Sequence, residues 1–342
     1  MRGRGTLQKL NKNLFNPYFS HIYIEKNALN HPNTSKILNH FSKIEIIEIN
    51  HYKDVFSRSH QNFSLQKQSP KLILAIKNDN LIYKGASVCE DFGNNYFYYT
   101  STIMNCIYDC EYCYLQGMYT SANIVIFVNI EDIFSEVERL LKKHPIYLCI
   151  SYDTDILAFE NIIGYGNKWI NFAKKHNDLN VELRTKSANF NSIKNVEPIE
   201  NIILAWTLSP NEIIKKYEKR TPSLQDRLLA INEAIDKGWK VRLCFDPMLY
   251  VKEWKKYYKN LIEATFLNLP REKIHDISIG VFRVSKDYLK KMRKQRFDSV
   301  ILNYPFETVD GICSYDYKLS ENMIKYVYQL IKKYVPEEKI YI

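Results

Sequence analysis

Three cysteines within eight residues, Cys106, Cys110 and Cys113, make a C-x3-C-x2-C run, with Tyr112 just before the last thiol and Tyr114 just after it. A tetrahedral metal site wants four ligands and this run offers three, so an iron-sulfur cluster held here keeps one iron open for another ligand. Chemistry belongs at that open position. Structural zinc normally closes its shell with a second C-x2-C pair or two histidines, but no second pair follows and the eight His are scattered. Seven Cys is an odd number, the chain is 342 residues long, and no apolar signal segment is read ahead of it. A disulfide framework therefore does not fit, and a reducing, cytoplasmic compartment is expected.

Such a loop needs a scaffold, and the apolar pattern supplies one. Between 22 and 83 a short strand (22–24), a helix (30–41) and strands at 44–49 and 72–76 form a small α/β preface. Beyond the cysteines, strands are expected at 124–129, 146–151, 181–185, 202–208, 240–245 and 277–282. Amphipathic helices alternate with them at 131–143, 168–175, 211–217, 223–237, 252–266 and 286–294, as when crossover helices cover a parallel sheet. With a further strand near 97–101 leading into the cysteine loop, the fold class is α/β, a partial (β/α)6 TIM-like barrel. In such barrels the site gathers at the carboxyl ends of the strands. A turn around Asp310 and Gly311 marks a C-terminal hairpin, followed by a helix at 321–334. The expected organisation is a basic arm (1–21), a small N-terminal α/β region (22–90), the partial barrel (91–298) and a C-terminal hairpin plus helix (299–342).

Lys and Arg total 48 against 38 Asp and Glu, a formal charge of +10, which favours a polyanionic partner such as nucleic acid through counterion release. Arg283, Lys286, Lys290, Lys291, Arg293, Lys294 and Arg296 form a dense basic stretch that could track phosphates, although a solvated helix face has the same pattern. No run of about 18 apolar residues is present, so no membrane span is expected.

The cysteine run does not stand alone. The segments Tyr23-Ile24-Glu25, Cys110 to Gln116, 128–133, Thr154-Asp155-Ile156, Arg184-Thr185-Lys186, Thr221 to Arg227 and Lys339-Ile340-Tyr341 together resemble, in order and spacing, the spore photoproduct lyase family of the radical SAM superfamily. The resemblance implies that Cys106, Cys110 and Cys113 ligate a [4Fe-4S] cluster whose open iron chelates S-adenosylmethionine (SAM). It implies that Tyr112 and Tyr114 line the adenosyl group and take part in catalysis, and that Lys186 pairs with the SAM carboxylate. Thr154, Asp155, Thr207 and Asp246 would complete the cofactor site. The family reaction runs on a methylene-bridged thymine dimer in DNA. A 5′-deoxyadenosyl radical takes hydrogen from carbon 6, the bridge breaks, and a thiol quenches the thymine radical. DNA carrying the dimer and a reductant such as flavodoxin or ferredoxin are the implied partners.

Two positions depart from the family pattern. The thiol expected just before the Thr-Asp step is replaced by Tyr152, which leaves Cys89, Cys149, Cys244 and Cys313. Cys89, in a turn 17 residues before the cluster motif, is the expected hydrogen donor, and Cys149 and Cys244 are expected in the core. The hairpin region 309–315 also lacks the arginine that the family carries at its tip. Two alternatives stand beside the lyase reading: the same radical chemistry on another substrate, and a non-catalytic iron-sulfur protein that binds nucleic acid.

Overall fold

The computed structural model describes residues 19–86 and 88–342, so the basic arm expected over 1–21 lies, but for its last three residues, outside the described chain. Two sheets carry the fold. The smaller has five strands in the order Glu45–Ile49, His21–Glu25, Leu72–Ala75, Ile124–Phe127 and Ile103–Met104; the first four are parallel and the last is antiparallel. The larger has eight strands, Ile340–Tyr341, Asp276–Val281, Lys240–Met248, Ile202–Thr207, Leu179–Thr185, Ile146–Cys149, Phe97–Tyr99 and Tyr83–Lys84. All its pairs are parallel except the last, and it curls into a half-barrel.

One strand lies where its pattern did not place it. Ile124–Phe127, expected in the barrel, pairs with Leu72–Ala75 and extends the N-terminal sheet. All four of its residues are buried, so it has no polar face, and a strand covered on both sides carries nothing that says which sheet takes it. The barrel sheet also runs past the expected boundaries, with Tyr83–Lys84 at one edge and Ile340–Tyr341 at the other.

The helices follow the usual rule of an apolar stripe turned inward. In Ile130–Leu141 the buried positions are Ile130, Ile133 and Val137, spaced by three and four. Ser223 caps Leu224–Asp236, its hydroxyl accepting from the Asp226 amide at 3.2 Å. The helix Ile156–Ile163 was not expected. It is buried at nearly every position, so it has no amphipathic period, and the cue for it is the N-cap Asp155, which accepts from the Ala158 amide. Near the C-terminus, Glu307–Val309 and Ile312–Ser314 form the expected hairpin, and Arg283–Ser285 adds a third strand to it. Its two turn residues, Asp310 (φ 49°) and Gly311 (φ 79°), are both left-handed, as a two-residue turn matched to strand twist requires. Among the described residues no helix is long and apolar enough to cross a membrane.

Candidate functional site

The chain leaves the barrel strand Phe97–Tyr99, crosses to Ile103–Met104 and enters the cysteine loop at Asn105 (φ 69°). Asparagine tolerates this conformation, and its amide is fixed to the Ser121 and Asn123 carbonyls at 2.7 Å each. The rest of the loop is clamped from several directions. Lys67 Nζ donates to the carbonyls of Cys106 (2.5 Å) and Tyr108 (2.8 Å), and Gln116 Nε2 to that of Cys110 (2.8 Å). The short strand Asp109–Cys110 pairs antiparallel with Glu218–Lys219. Arg296 forms an ion pair with Asp109, and Ser299 donates to Glu111. These bonds occupy backbone and carboxylates, leaving the cysteine side chains to line a cavity of about 680 Å³ at the carboxyl ends of the barrel strands.

None of the seven cysteines is in a disulfide. Burial pushes the Cys110 thiol up to about 12, against the opposing pull of Lys186, and raises Cys106 and Cys113 as well. Thiols raised by burial lose their protons to a metal rather than to water. Among the described residues no three His, Cys, Asp or Glu side chains converge tightly enough to share one metal ion. A cluster gives each thiolate its own iron, and three thiols from one loop are a donor set of the kind that holds one.

Lys186 follows the strand Leu179–Thr185 and reaches across to the loop. Its Nζ lies 2.8 Å from the Tyr112 hydroxyl, 3.7 Å from Cys110 Sγ and 3.5 Å from Glu218. Burial alone would discharge it, but Cys110, Glu218 and Tyr112 outweigh that and hold its pKa well above the ordinary lysine value. Glu218 in turn receives Arg227 Nη2 at 2.5 Å, Ser209 Oγ at 2.8 Å and the Tyr112 hydroxyl. Burial opposes its charge, yet Arg227 and Lys186 hold its carboxyl well below the usual range. Sequence reasoning missed Glu218 and Arg227 as parts of the site. The signal for Arg227 was present: it sits on the stripe of Leu224, Leu228 and Ile231 that faces the core, and a charge in that register needs a buried partner.

The other expected cofactor residues all line the cavity, in different ways. The Thr154 hydroxyl is buried with no hydrogen-bond partner among the described residues, and a polar ligand atom would satisfy it. Asp155 uses both carboxylate oxygens internally: Oδ1 accepts from Thr185 Oγ1 (2.7 Å) and the Ala158 amide, Oδ2 from the Lys186 amide (2.7 Å). It therefore fixes the backbone that carries Lys186. Thr207 ends its strand at the cavity, with its carbonyl held by Arg227 at 3.0 Å. Asp246 is paired with Arg283 at 2.9 and 3.2 Å, and Arg184 lies 3.9 Å away.

That pairing redraws the basic face. Arg283, expected to track phosphate, turns into the cavity, and Arg293 donates to the carbonyls of Leu302 (2.7 Å) and Tyr304 (2.8 Å). Guanidinium forks are suited to such bridging, and nothing in the local sequence separates a bridging arginine from a solvated one. Lys286 and Lys290 are exposed as expected, together with Lys291 and Lys294.

Also in the cavity lining, Cys89 Sγ donates to the hydroxyl of Tyr152 at 3.8 Å. The thiol expected as donor and the tyrosine that replaces the family thiol are neighbours. Burial raises the Cys89 pKa, against Tyr152, Arg184 and Arg283, so the sulfur keeps its proton at neutral pH. Cys149, expected in the core, is buried but also lines the cavity, 3.9 Å from Glu182 Oε1; Cys244 and Cys313 are buried away from it.

A half-barrel of parallel strands whose carboxyl ends gather three unpaired thiols, a charged lysine and an unsatisfied hydroxyl has the form of a radical SAM enzyme. Residues 15–340 match the spore photoproduct lyase family, and the chain belongs to that family. It is 24% identical over 254 residues to a spore photoproduct lyase of Clostridium acetobutylicum, covering 72% of this chain and 73% of that protein. A solved spore photoproduct lyase complexed with dinucleoside spore photoproduct has the same fold, with a TM-score of 0.81 at 16% identity over 95% of this chain and 98% of that one. A mutant lyase with bound AdoMet and the same dinucleoside gives 0.80 at 17% identity, over 94% and 97%.

Proposed function

We propose that this chain is a radical SAM lyase that repairs DNA by reversing the methylene-bridged thymine dimer. The observation that carries the reading is that Cys106, Cys110, Cys113, Lys186, Thr154 and Cys89 all line one cavity. In this reading the three thiolates hold a [4Fe-4S] cluster, Lys186 meets the SAM carboxylate, the Thr154 hydroxyl bonds the cofactor, and Tyr112 and Tyr114 flank the adenosyl group. Asp155 positions Lys186, while Thr207 and Asp246 close the wall. When bound, the cluster and SAM supply the 5′-deoxyadenosyl radical that takes hydrogen from carbon 6 of the dimer and so breaks the bridge.

Cys89 then completes the reaction. Its S–H bond breaks, a C–H bond forms at the thymine radical, and the unpaired electron remains on sulfur. The raised pKa serves this step, because a thiolate has no hydrogen atom to give. Lys286 and Lys290, with Lys291 and Lys294, track the phosphates, and the hairpin tip at Val309, exposed to solvent, is the part able to wedge into a duplex. The unpaired thiols support a reducing cytoplasm, where a flavodoxin or ferredoxin would deliver the electron.

The test is anaerobic reconstitution with iron and sulfide, addition of SAM and dithionite, and assay of thymidine released from the dinucleoside lesion. Release is expected. Formation of 5′-deoxyadenosine without thymidine would move the chemistry to another substrate, and a cluster whose electron paramagnetic resonance (EPR) spectrum ignores SAM would leave only the non-catalytic reading.

A further inference from the structure

Cys89 sits outside the sheet, in the loop joining the strands Tyr83–Lys84 and Phe97–Tyr99, so its position must come from contacts that the loop makes. After the thiol the loop is pinned by Phe92, which is buried, has left-handed backbone (φ 53°) and carries the Arg242 guanidinium carbon 3.2 Å from its ring centroid. A bulky residue keeps that backbone conformation only where its surroundings fix it. Before the thiol, the Val88 side chain is exposed and supplies no such plug. Its carbonyl is held instead, by Arg283 Nε at 2.8 Å. The same guanidinium donates through Nη1 to Asp246 Oδ1 (2.9 Å) and the Val281 carbonyl (3.2 Å), and through Nη2 to Asp246 Oδ2 (3.2 Å). A planar fork makes such a set of bonds and an ammonium does not. Space is kept for it, since a Cβ on Gly280 would fall 2.7 Å from Asp246 Oδ1 and 2.8 Å from Arg283 Nη1. An ion pair made only to neutralise charge needs neither the backbone carbonyl nor the glycine.

We propose that Arg283 is a positioning residue for the hydrogen donor: its bridge between Asp246 and the Val88 carbonyl sets where the Cys89 thiol lies in the cavity. The inference rests on the assignment of Cys89 as donor. Hydrogen transfer needs the sulfur in contact with the thymine radical carbon, and a misplacement of about 1 Å costs up to about a hundredfold in rate. A thiol held by the bridge quenches the radical before it reacts elsewhere, and a released one lets by-products form. Three parts of the fold meet at this guanidinium: the donor loop through Val88, the barrel strand Lys240–Met248 through Asp246, and the hairpin sheet, whose third strand Arg283 begins. The donor and the hairpin that meets DNA are thereby built on one support.

The experiment uses reconstituted holoenzyme, SAM, dithionite and the dinucleoside lesion, and reads the thymidine formed per 5′-deoxyadenosine. Each variant is checked for wild-type thermal unfolding and for the wild-type EPR change on adding SAM. Arg283→Gln should lower the ratio about fivefold, with dimer by-products appearing, and Arg283→Lys, which keeps the charge but not the fork, should lower it as well. Gly280→Ala keeps both partners and only displaces them, so it tests the bridge if Arg283→Gln fails to fold; it should lower the ratio about twofold. The comparison is then repeated in a Cys89→Ala background, where a residue that acts through Cys89 has nothing left to position and Arg283→Gln should cost no further loss. A ratio unchanged by Arg283→Gln and Gly280→Ala, or an equal further loss in the Cys89→Ala background, would overturn the proposal while leaving the lyase reading intact. A ratio unchanged by Cys89→Ala alone would instead remove the donor assignment, and the positioning role with it.

Discussion

At the scale of residues, the site is organised around one ammonium kept charged in a buried place. Lys186 holds its proton because Cys110, Glu218 and Tyr112 surround it, and Glu218 holds its charge because Arg227 and Lys186 outweigh burial. The Glu218 pKa is depressed on folding, so its contribution to stability is full above its ordinary value of 4.5 and is lost as pH falls below that toward the folded value. Glu218→Gln should therefore lower stability at neutral pH by about 3–5 kcal/mol, since it leaves Arg227 buried and unpaired. It should also flatten the acid limb of stability against pH, both read from urea unfolding at a series of pH values. For the donor, Cys89→Ala should still form 5′-deoxyadenosine but lose about tenfold in thymidine yield, with dimer by-products appearing on chromatography. An unchanged yield would transfer the role to Cys149, the other thiol lining the cavity outside the cluster motif. Cys106, Cys110 and Cys113 were legible from spacing, and Arg227 could have been read from its place on an apolar stripe. Glu218 had no such mark, because it lies in a two-residue strand that exists only through its pairing with the cysteine loop.

At the scale of elements, the cysteine loop depends on segments far from it in sequence. The short helix Leu115–Met118 lies against the basic helix Lys286–Gln295 so closely that a Cβ on Gly117 would fall 2.5 Å from Tyr288 Cβ and 2.6 Å from its Cα. Gly117→Ala should force the helices apart at a cost of about 1–3 kcal/mol. The expected outcome is a lower melting temperature together with reduced iron content after reconstitution, because Arg296 and Ser299, which hold Asp109 and Glu111, follow that same helix. The strand Ile202–Thr207 was legible because a strand buried on both faces reads as an apolar run, and Leu179–Thr185 because Leu179, Val181 and Leu183 alternate with polar residues. The helix Ile156–Ile163 was not, for the related reason that burial all round erases the helical period.

At the scale of the whole molecule, the cavity and the basic face are separate, with the N-terminal end of the Lys286–Gln295 helix at the cavity and its exposed lysines outside. If Lys286 and Lys290 contact phosphates, replacing both by Gln should weaken binding to lesion-bearing duplex and reduce the slope of log affinity against log salt by about 1.8, at roughly 0.9 per phosphate contact. Fluorescence anisotropy across a salt series measures it, and a slope equal to wild type would assign these lysines to a solvated surface. By itself the amino-acid order determined the three-thiol motif, the alternation that builds a half-barrel, and the segments that carry the family, because local spacing and periodicity depend on near neighbours. Only the tertiary structure decided which charges are buried against one another, which sheet takes the strand Ile124–Phe127, and that Cys89 meets Tyr152 across 63 residues of chain. Those outcomes follow from long-range pairing, where a side chain's partner is chosen by packing and not by its position along the sequence.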